Sequence, residues 1–378
     1  MKSRLLVVTT KISDGGAERF ASNLLQRLDR DRFEVHLCSL RRDSGYDIPA
    51  DVQVSFADYR GVATLPFAVR RLRKLIDQER PDIVLSCLNA TNIVAGFAVG
   101  QAAHRPRWVA RVGSSPQQAD RGLRRWALKK AYMKTDLIVV NAKELRDEMV
   151  KCYRLKPERI QVAANLCDFT QIRAAAVRGE TLPRKADIRL VACGRLAHQK
   201  RYDIMLRAVA RLQDQTSVEL LICGDGPLKS QLKDLALDLG VSDRVEFLGF
   251  LDNPHSVMAS GDVFILTSDY EGLPNALIEA QALGLAAVST DCPTGPREII
   301  EQGVTGLLVP KGDDEALVEA MRKLIAEPSA RQRMAAEARA RIEKKYDLES
   351  VIRQWQELLL MGSTDGVKGD SCASKAHS

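Results

Sequence analysis

Short strand-like apolar runs alternate with helical patterns along nearly the whole chain, and the alternation stops once and starts again. The first series comprises Arg4–Thr10, Glu34–Leu40, Val52–Phe56, Asp82–Ser86, Trp108–Val112 and Asp136–Val140. After the polar, proline-containing stretch Arg178–Asp187, a second series opens at Ile188–Cys193. It runs through Val218–Cys223, Arg244–Phe247, Val263–Thr267, Ala286–Thr290 and the short Gly306–Val309. Helical spacing between runs is explicit at Leu65, Ala68, Val69, Leu72, Leu75 and Ile76, with Arg70, Arg71, Arg73 and Lys74 on the other face. Strands alternating with helices build parallel sheets covered on both sides. The expected fold class is therefore α/β, with two doubly wound Rossmann-like domains facing each other across a cleft. The first takes residues 1–175 and the second 185–345. A helix within 346–362 is expected to pack back on the first domain, and a polar tail over 363–378 to be disordered. In such sheets ligands bind where strand carboxyl ends meet helix amino ends.

Composition narrows the class. Hydrophobic residues make up 45% and charged residues 28% of 378 positions, the balance of a globular protein with a substantial core. No apolar run approaches the ~18–20 residues of a membrane span. The start, Met1-Lys2-Ser3-Arg4, lacks the pattern of a secretory leader. The eight cysteines are scattered without zinc-ligand spacing, and several end apolar runs, as buried thiols do. These features point to a reduced, cytoplasmic protein. The net charge of +7 is uneven: residues 1–180 carry +12 and the remainder −5. A basic first half suits a polyanion or an anionic membrane. With 5% aromatic residues and no zinc-finger or RNP-like string, nucleic acid is not the expected partner. The basic stretch Arg121–Lys130 fits either a membrane-surface helix or a solvated one.

Four strand-to-helix junctions carry candidate chemistry. After Val263–Thr267 the chain reads Ser268-Asp269-Tyr270-Glu271-Gly272-Leu273-Pro274-Asn275-Ala276-Leu277-Ile278-Glu279. Pro274 suits the first helical position, where no N–H is needed, and the backbone of Gly272 and Leu273 can approach a ligand. Glu271 before the helix and Glu279 two turns into it can accept hydroxyl hydrogen bonds at the two ends of an extended polyhydroxylated ligand. After Ile188–Cys193 come Gly194-Arg195-Leu196 and Gln199-Lys200. A guanidinium fork and an ammonium on one loop suit a diphosphate. After the first run, Ser13-Asp14-Gly15-Gly16-Ala17-Glu18 places Gly15 and Gly16 where the backbone can approach a phosphate or a sugar, or simply turn. Gly224-Asp225-Gly226-Pro227 reads as a structural turn.

Together these stretches resemble the retaining glycosyltransferases of family 4, which have the GT-B fold, over about residues 1–360. Glu271 to Glu279 matches the family's E-x7-E motif, and Gly194-Arg195-Leu196 with Lys200 its diphosphate loop. The resemblance implies that Arg195 and Lys200 hold the donor diphosphate and that Glu271 and the backbone of Gly272, Leu273, Pro274 and Asn275 hold the sugar. It gives Glu279 the ribose, while Gly16 faces the phosphates across the cleft. Phe247-Leu248-Gly249-Phe250 is similar to the segment near the nucleotide base. Asp291–Glu298 looks like the form found in members that build bacterial surface polysaccharides and lipid-linked oligosaccharides.

One departure stands out. Many relatives place a His after the fourth or fifth strand, where this chain reads Ala110-Arg111-Val112-Gly113-Ser114-Ser115, and Arg111 or Ser114 is left to occupy that space. His104 precedes the strand and reads as surface. Asp29-Arg30-Asp31 has the form of a metal-nucleotide site but falls in a turn away from the strand carboxyl ends, and Asp313-Asp314-Glu315 reads as a helix cap.

The expected activity is sugar transfer with retention from a nucleotide-diphosphate donor, UDP by resemblance, to a glycan or lipid-linked acceptor in polysaccharide biosynthesis. No metal or other cofactor is expected, and the site is the cytoplasm or the cytoplasmic face of the inner membrane. The competing readings are a GT-B nucleotide-sugar epimerase or hydrolase, and a non-catalytic nucleotide-sugar-binding subunit of an assembly complex.

Overall fold

The computed structural model describes residues 2–361 except 14, 44, 46, 120, 180–181 and 213–216, and the side chains of 118–119. Asp14 and the tail over 363–378 lie outside the described residues. The first sheet has seven parallel strands: β1 (Ser3–Thr9), β2 (Phe33–Ser39), β3 (Gln53–Phe56), β4 (Ile83–Cys87), β5 (Arg107–Val112), β6 (Leu137–Val140) and β7 (Ile160–Val162). Their order is β3-β2-β1-β4-β5-β6-β7. The second has six parallel strands: β8 (Ile188–Cys193), β9 (Val218–Cys223), β10 (Val245–Gly249), β11 (Val263–Leu266), β12 (Ala286–Asp291) and β13 (Leu307–Pro310), in the order β10-β9-β8-β11-β12-β13. The strand order of each sheet reverses once, between β1 and β4 and between β8 and β11, and those switch points are where ligands of such sheets bind. The chain is thus α/β with two Rossmann-like domains.

Burial explains why these runs become strands. Leu5, Leu6, Val7 and Val8 are all buried; Leu5 and Val7 enter one apolar cluster and Leu6 and Val8 another on the opposite face. β8 divides likewise, with Leu190 and Ala192 on one side and Val191 on the other. Strands covered on both faces read as continuous apolar runs. β7 escaped the sequence reading because it is a three-residue edge strand with one fully buried side chain. Pro274 also sits one place earlier than expected. It caps helix Asn275–Ala282 in an extended conformation, φ −73° and ψ 100°, so the first free helical N–H belongs to Asn275.

After the last helices of the second domain the chain crosses back. Helix Leu348–Leu360 lays Val351, Ile352 and Trp355 into the core of the first domain. The Trp355 ring lies 4.7 Å from that of Phe20, and its Nε1 donates to the Ala164 carbonyl at 2.9 Å. Arg107 donates to the carbonyls of Leu358 and Leu359, satisfying acceptors that a helix end leaves free.

Candidate active site

The loops leaving β8, β9 and β10 are clamped into one surface. An added Cβ on Gly224, φ +146°, would stand 2.0 Å from the Gly194 carbonyl oxygen, so backbone passes over backbone here and only glycine fits. The Leu196 N–H donates to the Asp225 carbonyl at 2.9 Å and the Gly224 N–H to that of Gly249 at 2.7 Å. Gly224-Asp225-Gly226 is therefore the structural turn that aligns Gly194-Arg195-Leu196 with Gly249-Phe250. Arg195 is exposed and, among the described residues, makes no side-chain hydrogen bond, while the Phe250 ring is 60% exposed.

Across the switch point, the loop after β8 is tied to the loop after β11. Asp269 N–H donates to the Gln199 carbonyl at 2.8 Å, Gln199 Nε2 to that of Tyr270 at 2.7 Å, and Thr267 Oγ1 to that of Lys200 at 2.8 Å. These bonds bring Lys200 Nζ to 2.6 Å from Glu271 Oε1, which also accepts from Ser268 Oγ at 2.5 Å. Glu271 is 7% exposed. Thr294, held at φ +65°, donates to the Glu271 carbonyl and fixes the turn from behind.

Glu279 belongs to a second network. Its side chain is buried, and its two oxygens meet Arg19 Nη1 at 2.9 Å and His255 Nε2 at 3.3 Å. Burial alone would raise its pKa, but the His255 hydrogen bond and the Arg19 charge outweigh burial and hold the carboxyl below its ordinary value. A cleft of about 290 Å³ opens beside it, lined by Arg19, Asn23, Asn165, Asn253, His255 and Glu279. The two glutamates thus sit in separate surroundings, one in contact with a lysine and the other with an arginine of the opposite domain.

The first domain closes over the second at several points. An added Cβ on Gly16 would be 3.5 Å from Asn275 Nδ2, while one on Gly272 would collide with the Gly113 carbonyl oxygen at 2.0 Å. Asn165 Nδ2 donates to Asn275 Oδ1 at 2.7 Å, and Arg111 Nη2 donates to Asn165 Oδ1 at 2.5 Å. Gly15, at φ +131°, precedes helix Gly16–Arg27. A larger cleft of about 690 Å³ lies between helix Lys143–Tyr153 and the turn Cys292–Arg297, with Gln117, Glu144, Asp147, Glu148, Lys151 and Arg297 around it.

Arg19, His255 and Asn165 were not legible as site residues. Arg19 adjoins the quoted Gly15–Glu18 stretch and His255 follows Phe250 by five positions, but Arg19 reaches Glu279 only through domain docking and His255 only through the packing of two helices of the second domain. His104 is half-buried and within 2.8 Å of the Pro81 carbonyl, away from both networks. Asp29 and Asp31 form a local turn, and Asp313 caps its helix through the Ala316 N–H. The seven described cysteines are all free.

Comparison with known proteins shows the family. Residues 14–171 match the model of Glycosyltransferase Family 4, and residues 175–341 match that of Glycosyl transferases group 1. The lipopolysaccharide core biosynthesis glycosyltransferase LpsE of Rhizobium meliloti is 30% identical over 355 residues, covering 92% of this chain and 96% of that protein. The N-acetylgalactosamine-N,N'-diacetylbacillosaminyl-diphospho-undecaprenol 4-alpha-N-acetylgalactosaminyltransferase of Campylobacter jejuni is 28% identical over 371 residues, 94% of this chain and 99% of that one. Among solved structures, Anabaena HepE in complex with UDP-glucose superposes with a TM-score of 0.77 at 20% identity, covering 94% and 99% of the two chains. The sucrose-phosphate synthase of Thermosynechococcus elongatus gives 0.81 at 18% identity, covering 94% and 98%. The protein belongs to the family 4, group 1 glycosyltransferases of the GT-B fold.

Proposed function

We propose that this glycosyltransferase moves a sugar, with retention at the anomeric carbon, from a nucleoside diphosphate, UDP in the first instance, to a lipid-linked or glycan acceptor of a surface polysaccharide. The observation that carries the reading is the Lys200–Glu271 contact at 2.6 Å, made across the switch point of the second sheet beside the exposed Arg195. It puts a cation for a diphosphate next to a carboxylate for sugar hydroxyls.

In this reading the bond between the anomeric carbon and the donor phosphate oxygen breaks, and its electron pair leaves with the diphosphate. Arg195, Lys200 and the amino end of helix Asn275–Ala282 receive that charge, which is electrostatic catalysis requiring no metal. The acceptor hydroxyl attacks from the same face and gives its proton to a departing phosphate oxygen. Glu271, held by Lys200 and Ser268, orients the sugar against the backbone of Gly272, Leu273, Pro274 and Asn275 rather than attacking it. Glu279 holds the ribose, Gly249 and Phe250 lie near the base, and Gly15 and Gly16 close over the phosphates. Closure of the two domains excludes water.

The acceptor class rests on the relatives, whose names specify a diphospho-undecaprenol glycan and a lipopolysaccharide core. No helix among the described residues is long and apolar enough to cross a membrane. Leu123 and Trp126 are nonetheless exposed on helix Gly122–Tyr132, which carries Arg124, Arg125, Lys129 and Lys130 and no acid. That supports peripheral contact with an anionic cytoplasmic membrane face. The test is product analysis with UDP- and GDP-sugars, with and without a diphospho-lipid acceptor, and the product anomer read by NMR. Transfer with retained configuration is expected. A free or epimerised sugar formed without acceptor, or an inverted linkage, contradicts the proposal.

A further inference from the structure

Two arginines are buried among the described residues, and they are treated differently. Arg189, 1% exposed, meets Glu219 at 2.9 Å and also donates to Ser260 Oγ and the carbonyls of Leu182 and Pro183. Arg111, 2% exposed, makes no salt bridge among the described residues, although the buried Glu18 carboxylate lies near enough for its charge to act on it. Its Nη2 reaches Asn165, its plane lies over the Phe20 ring at 4.2 Å, and its Nε and Nη1 have no hydrogen-bond partner. Leaving a guanidinium buried and unpaired is costly, so an arrangement that keeps one calls for an explanation.

Its surroundings supply one. Arg111 is the next-to-last residue of β5, and the next strand, β6, leads directly into Asn141, which is 4% exposed and whose Oδ1 is also unpartnered. Between them lies Gly113. A Cβ on that glycine would be 3.2 and 3.3 Å from Nη1 and Nη2 of Arg111 and 3.4 Å from Nδ2 of Asn141. The guanidinium of Arg111, with Nη1 unpartnered, and the amide of Asn141 therefore flank one notch that stays open because residue 113 has no side chain. Gly272 of the donor loop closes the notch from the other domain, with its added Cβ 3.2 Å from Asn141 Oδ1.

We infer that Arg111, Asn141 and Gly113 form an oxyanion notch on the first domain that takes a phosphoryl oxygen of a sugar phosphate. This deepens the proposed function and rests on it for the identity of the sugar phosphate. A permanent positive charge with several converging donors selects a phosphoryl oxygen over a hydroxyl, and the Asn141 Oδ1 is left to accept from a neighbouring sugar hydroxyl. The phosphoryl group comes either from the donor diphosphate or from the diphosphate link of a lipid-borne acceptor. The stack on Phe20 and the bond to Asn165 hold the guanidinium ready, and the Asn165–Asn275 bond ties its position to the donor helix.

Two variants test it in the full chain. Arg111→Met removes the charge, and Gly113→Ala fills the notch while leaving the charge in place. Inorganic pyrophosphate is titrated calorimetrically first, then UDP- and GDP-sugars, and the KM for a diphospho-lipid acceptor is measured last. Pyrophosphate affinity is expected to fall at least tenfold in both variants, with melting temperature little changed in Gly113→Ala. A parallel loss of nucleotide-sugar affinity assigns the notch to the donor; a raised acceptor KM alone assigns it to the acceptor. If Arg111→Met does not fold, Gly113→Ala carries the test. Wild-type affinity for all three ligands in Gly113→Ala overturns the inference, because a methyl group standing in the notch excludes a bound oxygen. A wild type that binds pyrophosphate in an Arg111-dependent way but no nucleotide sugar keeps the notch and refutes the donor reading. A wild type that binds none of them overturns both.

Discussion

Arg19 on the first helix of one domain donates to Glu279 on helix Asn275–Ala282 of the other, at 2.9 Å, over a separation of 260 residues. The bond spans the cleft and lies next to the space assigned to ribose. Removing one partner of a buried charge pair leaves the other short of its counterion. Arg19→Ala should therefore loosen closure, increasing the radius of gyration in solution scattering and lowering kcat/KM about tenfold, the equivalent of about 1.4 kcal/mol. Glu279→Ala breaks the same bond and removes the ribose contact as well, so it should raise the donor KM further than Arg19→Ala does, since a ribose contact persists from ground state to transition state. Steady-state kinetics separates the two, and a pure kcat loss in Glu279→Ala contradicts the ribose role.

Gly272 faces Gly113 so closely that a Cβ at 272 meets the other domain's backbone and Asn141, and nothing nearer within its own domain. Gly272→Ala should leave each core intact, with a melting temperature within about 2 °C of wild type. It should prevent full closure and cost at least about tenfold in kcat/KM. Kinetics beside thermal melting checks both halves, and undiminished turnover would show that the closed contact is not part of the cycle.

Glu298 and Glu144 face each other across the same interface, with the Lys143 N–H donating to Glu298 and the Lys345 ammonium bound to its carbonyl. Burial, and then the neighbouring Glu144 carboxyl, raise the Glu298 carboxyl to about 7, with the Lys143 N–H and the Lys345 charge opposing. The folded chain therefore keeps a proton that an unfolded carboxyl has released. The stability this gives is complete below the ordinary carboxylate range and falls as pH rises through about 7. Melting curves between pH 5 and 8 should show wild type losing ground against Glu298→Gln over about pH 5–7. Parallel curves would contradict the shared proton.

Much of this was legible because parallel strands buried on both faces leave uninterrupted runs: Ile188–Cys193 and Val218–Cys223 coincide with β8 and β9. The loops after β8 and β11 were legible as binding loops because glycine and proline mark backbone that must turn or approach closely. Relations set by how helices pack and domains dock were not legible. Nothing local in Arg19, His255 or Asn165 marks it for Glu279 or Asn275, and the orphaned nitrogens of Arg111 appear only once its neighbours are placed. The pairing of Lys200 with Glu271 also needed the structure, since it follows from hydrogen bonds between two loops 71 residues apart.

The Arg189–Glu219 pair, both side chains almost wholly buried, fastens the linker carbonyls of Leu182 and Pro183 to the second sheet. Glu219→Ala leaves the guanidinium buried without its counterion and should cost about 3–5 kcal/mol. Chemical denaturation followed in the second domain reads this directly, and a loss under about 1 kcal/mol would mean that water or a neighbour replaces the carboxylate.

Lys200→Ala and Arg195→Ala should each lower turnover by about two orders of magnitude, the scale of losing one donor that stabilises charge in the transition state. The most direct test of the account is calorimetric titration of UDP and GDP into wild type and into these two variants. The account predicts binding of one nucleoside diphosphate by wild type, weakened about tenfold or more in each variant. Equal affinity in all three proteins, or none in wild type, would contradict a departing diphosphate received by Arg195 and Lys200.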